Sequence, residues 1–145
     1  DISGIEAVYK DMKRSLAEKN YSAYKDYNES FHMAIWKACG NEKLEHLAAN
    51  LWSGLSMGYL VTEEEYAKIS SIEHDELMQA LRAHDGKRAR ALMVAHMKRS
   101  MEDVLTNYRS FVTRGEKIKK WNLRSQINKG LEIPRVYSYI REKIR

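Results

Sequence analysis

The chain has 145 residues, 43% hydrophobic and 31% charged, an ordinary balance for one globular domain with its own core, and its single proline and seven glycines point to few turns and long helices. The lone cysteine, Cys39, excludes an intrachain disulfide, and no cationic apolar leader or apolar run of about 18 residues is present, so a soluble, cytoplasmic protein is expected. The net charge of +5 is uneven: residues 114–145 hold ten Lys/Arg against three Glu, while residues 1–113 carry 15 basic and 17 acidic side chains, so the basic pI does not describe a nucleic-acid surface on the main body.

In chain order, Ser3 and Glu6 have the spacing of a capping box, and Ile5, Val8, Tyr9, Met12 and Leu16 recur at helical intervals to about Lys19. Ser22 is a fitting N-cap for a second helix whose stripe runs Tyr24, Tyr27, Phe31, Ala34, Ile35 and Ala38 until Gly40 stops it. Asn41 then caps a third helix, with Leu44, Leu47, Ala48, Leu51, Trp52 and Leu55 as its apolar face to roughly Tyr59. The stretch "VTEEEY" reads as a connection or a fresh N-terminus, and Ile69, Ile72, Leu77, Met78 and Leu81 mark a fourth helix ending near Ala83. Asp85 caps a long fifth helix through Ala89, Leu92, Met93, His96, Met97, Val104, Leu105 and Tyr108. No strand alternation competes, so the fold class is all-α. The division expected is a helical bundle over residues 1–113 and a basic extension over 114–145, in which Pro134 can open a last short helix.

Five histidines divide into two groups. His46 lies among charges in "EKLEHL" and His84 in a helix-to-helix turn, and both read as solvated. His32, His74 and His96 sit at core-facing phase on three different helices, and Asn28 lies one turn before His32 on the same face. Each ring alone is as readily a satisfied core histidine, since histidine is intermediately buried in general. Three together have another reading: imidazoles projecting inward from facing helices are how bundles build metal sites. No short metal motif of the His-Glu-x-x-His kind accompanies them.

The segments "NESFHMAIWKACGN" and "SSIEHDELMQALRAHDGKRARALMVAHM" resemble the FCD domain, the effector-sensing half of many GntR-family bacterial transcription regulators. The likeness lies in an Asp or Asn ahead of Phe-His, a following Gly-Asn, a Glu-His in the next helix, a short turn and a closing His on the last long helix, over roughly residues 5–110. It implies an antiparallel helix bundle holding a divalent metal through Asn28, His32, His74 and His96, with zinc favoured and nickel compatible. Asn28 stands where many members carry Asp, replacing a carboxylate with a neutral amide oxygen.

The resemblance further implies a small organic-acid effector, a homodimer, and DNA contact only through a winged-helix domain not present in these residues. The family's usual first helix is expected to precede residue 1, and "PRVYSYIREKIR" faintly resembles the opening helix of a winged-helix domain. Arg99 and Ser100, one turn past His96, with Trp52, Ser56 and Tyr59 on the third helix, are the candidate effector contacts. The expectation is therefore a ligand-sensing domain and not a catalyst. Two other readings stand beside it: a metal-dependent phosphohydrolase built on the adjacent His74 and Asp75, and a metal-free helical interaction module whose basic tail meets a partner.

Overall fold

The computed structural model describes residues 2–53 and 63–113. These fold into five helices: α1 (Ser3–Ala17), α2 (Tyr21–Ala38), α3 (Glu42–Ser53), α4 (Glu63–Arg82) and α5 (Gly86–Thr113), with no strand among the described residues. The all-α expectation holds. Leu55, Ser56, Tyr59 and the whole of 114–145, with its expected helix after Pro134, lie outside the described residues.

Local chemistry sets most of the helix ends. The Asn41 side chain accepts the Leu44 N–H at 3.1 Å and Asp85 accepts the Arg88 N–H at 2.9 Å, each satisfying one of the free donors of a helix start. Gly40, at φ 68°, supplies the left-handed residue just past α2. Two caps fall elsewhere than expected. Ser3 is already the first residue of α1, because the Glu6 N–H bonds the Ile2 carbonyl at 2.9 Å and closes the turn one residue earlier. Asn20, not Ser22, caps α2 by accepting the Ala23 N–H at 3.1 Å, since Lys19 at φ 55° has already completed the reversal after α1.

Three short turns reverse the chain, and paired contacts fix the directions. On α1 against α4, Glu6 meets Arg82, Tyr9 meets Asp75 and Lys13 meets Ser71, so one index rises as the other falls and the two helices are antiparallel. The same holds for α4 and α5, where Glu73 meets His96 while Ser70 meets Arg99. Helix α2 lies between α1 and α4 and also carries α3. The apolar centre is formed by Ile5 and Met12 of α1, Tyr24 and Phe31 of α2, and Ala67, Leu77 and Met78 of α4, all buried.

Several apolar residues whose period marks the helices are at the surface. Leu44, Leu47 and Leu51 are exposed because, among the described residues, α3 packs on α2 alone and only its Ala48 and Trp52 side is covered. Ile69 and Ile72 are exposed because the inward stripe of α4 is instead Ala67, Ser70, Ser71, His74, Leu77 and Met78. The buried face of α4 is thus half polar, and its apolar residues lie partly on the other side.

This assignment of faces has a measurable consequence. Met12→Ala, at a fully buried position, is expected to lower the unfolding free energy by about 2–5 kcal/mol, whereas Ile72→Ala, at a position 65% exposed, is expected to change it by less than about 0.5 kcal/mol in urea denaturation.

Candidate metal centre

Helices α2, α4 and α5 each deliver one imidazole to the same interior point. On α2, Tyr24, Asn28, Phe31 and His32 share the buried face at helical spacing. His74 comes from the inward stripe of α4, and His96 from α5 one turn before Ser100, which is also buried. The ring centroids are 5.1 Å apart for His32 and His74, 5.2 Å for His32 and His96, and 4.8 Å for His74 and His96. One nitrogen from each ring can be chosen so that all three lie within 4.8 Å of one another. Such a set can close around one small cation.

The polar atoms of this interior are unevenly satisfied. His32 and His74 are 0% exposed, and neither nitrogen of either ring has a hydrogen-bond partner. The Asn28 Oδ1 and the Tyr24 hydroxyl are likewise buried without one, and the Asn28 amide N–H reaches the Tyr66 hydroxyl only at 3.5 Å. Buried polar groups are otherwise hydrogen-bonded almost without exception, so unpartnered nitrogens on two adjoining rings call for a ligand that accepts lone pairs. The donor set of three imidazoles fits zinc or a borderline divalent metal.

Burial also fixes the charge state of the rings. Burial, with the neighbouring His96, pushes the His32 imidazole down to about 3. Burial, then the His32 and His96 rings, takes His74 well below the usual histidine range. His96 is lowered by burial too, opposed by its bond to the Glu73 carboxylate. All three are neutral at physiological pH, the form in which an imidazole nitrogen can coordinate a metal.

The surroundings combine aromatic walls and one ionic group. Phe31 packs on His74 at 4.8 Å and Trp52 covers His32 at 4.5 Å, with Trp36 against Trp52 at 5.7 Å. Arg99 does reach the site's edge, but its guanidinium is held by Glu73, Asp103 and Ser70. Of the other sequence candidates, Ser100 is buried on α5, and Ser56 and Tyr59 lie outside the described residues. His46 and His84 are exposed, as expected. Asp75 is not part of the cluster: its carboxylate accepts from the Tyr9 hydroxyl at 2.8 Å and from Lys13 at 2.9 Å, turned to α1. The adjacency with His74 that suggested a phosphohydrolase is one of sequence only.

Sequence reasoning missed Glu73, Tyr24 and Tyr66 as parts of the site. Tyr24 carried a usable signal, since it precedes Asn28 by one turn on the face that bears His32. Glu73 sits directly before His74, yet it serves the histidine on the other helix, accepting from His96 at 2.6 Å, which no local spacing announces.

With this geometry in place, comparison with known proteins gives two findings. The family model of the FCD domain matches residues 1–99, a span that contains all four candidate ligands and Arg99. The HTH-type transcriptional regulator LutR of Bacillus subtilis (strain 168) is 30% identical over 115 residues, which is 74% of this chain and 51% of LutR, so the chain spans about half the length of that relative. No solved structure matches. Among the described residues no helix is long and apolar enough to cross a membrane.

The depressed imidazoles predict how the metal-free protein responds to acid. An unfolded histidine binds its proton near pH 6.5, while the folded His32 does so only near 3, so between these values the unfolded chain holds more protons and stability falls as pH falls. The stability these rings retain is complete above about pH 6.5 and declines below it, by up to about 1.4 kcal/mol per pH unit for each ring that stays neutral. Urea midpoints of chelator-treated protein measured from pH 7.5 to 5 are expected to drop accordingly.

Proposed function

Because the chain belongs to the FCD domain family, we propose that it is the effector-sensing part of a GntR-type transcription regulator, holding a divalent cation at Asn28, His32, His74 and His96 and reading a small organic acid there. The observation that carries this reading is the meeting of three buried, neutral imidazoles, two of them with both nitrogens unpartnered. Zinc is the first choice of metal, since three histidines with an open fourth position are a common arrangement for it, and nickel is compatible.

Each residue has a part in this reading. His32, His74 and His96 hold the cation with neutral nitrogens, so loading at neutral pH needs no displaced imidazolium proton. Asn28 turns its amide nitrogen toward the Tyr66 hydroxyl and leaves its neutral oxygen unpartnered, so that oxygen can contribute a dipole without charge. Trp52 lies over His32 and keeps water from that side of the ring. Once bound, the metal supplies a positive, Lewis-acidic centre that a carboxylate can coordinate. Tyr24 offers a buried hydroxyl that a hydroxylated or carboxylated effector can engage.

The regulatory part belongs to the larger protein. LutR is named an HTH-type transcriptional regulator, and this chain corresponds to about half of its length. In this proposal the DNA-binding function resides in a winged-helix domain outside these residues, the working unit is a homodimer, and the effector acts by binding one dimer arrangement more tightly than another. The reading is one of sensing, with no catalytic step assigned to any residue.

Purified protein is expected to contain about one divalent ion per chain by elemental analysis, lost in His32→Ala or His96→Ala, and chelation is expected to lower its melting temperature because binding to the folded site alone stabilises the fold. Melting that ignores both chelator and added zinc would overturn the metal reading. Millimolar di- and tricarboxylates are expected to raise the melting temperature of the metal-loaded protein; an organic-acid screen with no shift would overturn the effector class while leaving the metal site in place.

A further inference from the structure

The three imidazoles are not equivalently held. His32 and His74 have no hydrogen-bond partner on either nitrogen, whereas the His96 Nδ1 lies 2.6 Å from the Glu73 Oε2. That oxygen also accepts from the Arg99 Nη2 at 2.6 Å, and the Glu73 Oε1 accepts from the Arg99 Nε at 2.7 Å. Arg99 is fixed in turn by Asp103 at 2.6 Å and by the Ser70 hydroxyl at 3.3 Å. A carboxylate gripped by both prongs of a guanidinium is ionised and can only accept. The contact with His96 therefore requires the proton on Nδ1, which leaves the Nε2 lone pair free.

We infer that Glu73, clamped by Arg99, is the positioning residue of the metal centre: it holds His96 in the Nδ1–H tautomer with Nε2 turned to the cluster, so that one ligand is set before the cation arrives. This rests on the proposed metal reading and assigns within it the residue that orients a ligand. Metal-bound histidines generally donate their second ring nitrogen to a carboxylate or carbonyl, which fixes tautomer and orientation and raises the ring's basicity. Of the three rings only His96 has such a partner among the described residues, so the preorganisation of the site passes through Glu73 alone. Glu73 and His96 belong to α4 and α5, and Arg99 lies one turn past His96 on α5, so the clamp also ties the two helices together at the height of the site.

The neighbouring carboxylate provides an internal control. Asp75, two residues along α4, carries the same charge near the same cluster but is bonded to Tyr9 and Lys13 on α1. If local negative charge alone set metal affinity, both carboxylates would count.

The test combines the imidazole tautomers of the metal-free protein, read from nitrogen-15 chemical shifts, with zinc affinity measured against a chromophoric chelator. The wild-type His96 is expected in the Nδ1–H form. Glu73→Gln is expected to weaken zinc binding about tenfold to hundredfold, and Asp75→Asn to leave it within about twofold, because that half-exposed carboxylate is met by Lys13 and Tyr9 on α1 and bonds none of the three rings. An Nε2–H His96 in the wild type overturns the inference even if no variant folds. So does a folded Glu73→Gln protein that binds zinc as the wild type does, or an Asp75→Asn protein weakened equally. A wild type that binds no zinc at all rejects the metal reading itself, a result distinct from one in which zinc binds but ignores Glu73.

Discussion

At the junction of α2, α4 and α5 lie two imidazole rings, His32 and His74, excluded from solvent and without a hydrogen-bond partner at any nitrogen. An unsatisfied buried donor or acceptor costs about 1–3 kcal/mol, and a domain of this size is held by only about 5–15 kcal/mol in total. With the Asn28 oxygen and the Tyr24 hydroxyl added, these groups left without a ligand would cost on the same order as the net stability. An arrangement built to receive a ligand must be held in place by packing. Phe31 against His74, Trp52 against His32, and the bonded face of His96 are that packing.

The rest of the bundle can be understood as support for this junction. Helix α1 contributes no ligand but lies along α4 through Glu6 with Arg82, Tyr9 with Asp75, and Lys13 with Ser71 and Asp75. These contacts seat α1 on the Asp75 side of α4, which lies about 100°, one residue's worth, around the helix wheel from buried His74. Salt bridges half-open to water are weak sources of stability. Their value here is in register: they seat α1 along α4 on the side of Asp75, away from the three rings. On the opposite side, the Glu73 and Arg99 clamp ties α5 to α4.

How much of this was legible in the sequence follows from which forces act locally. The five helices before residue 114, the turns at Gly40 and Asp85, and the inward phase of His32, His74 and His96 are all encoded within single helices by period and cap chemistry, and each is present among the described residues. The failures come where periodicity alone was made to choose a face. Ile69 and Ile72 mark the period of α4 as apolar residues, yet they are exposed and its buried face carries Ser70, Ser71 and His74. Hydrophobicity ranks side chains by transfer from water, and it cannot know that another helix brings partners for polar ones. The same limit hid Glu73, whose role depends on two residues more than twenty positions away.

The exchange of Asp for Asn at position 28, relative to the family habit, then acquires a physical meaning within the proposed site. A carboxylate there would lower the net charge of a loaded site by one unit and bring strong attraction for a cation in a low-dielectric interior. Asn28 instead leaves the full positive charge of the metal to be met by something else. Glu73 bonds His96 but is itself bound to Arg99 through two hydrogen bonds, and Arg99 also meets Asp103, so this ionic group is engaged outside the ring cluster. The cluster itself contains only neutral imidazoles. In the proposed reading, a cation held here would have only neutral protein ligands, so an anionic effector would gain more than it would beside a carboxylate, and Asn28 would suit an open sensing site better than a closed structural one.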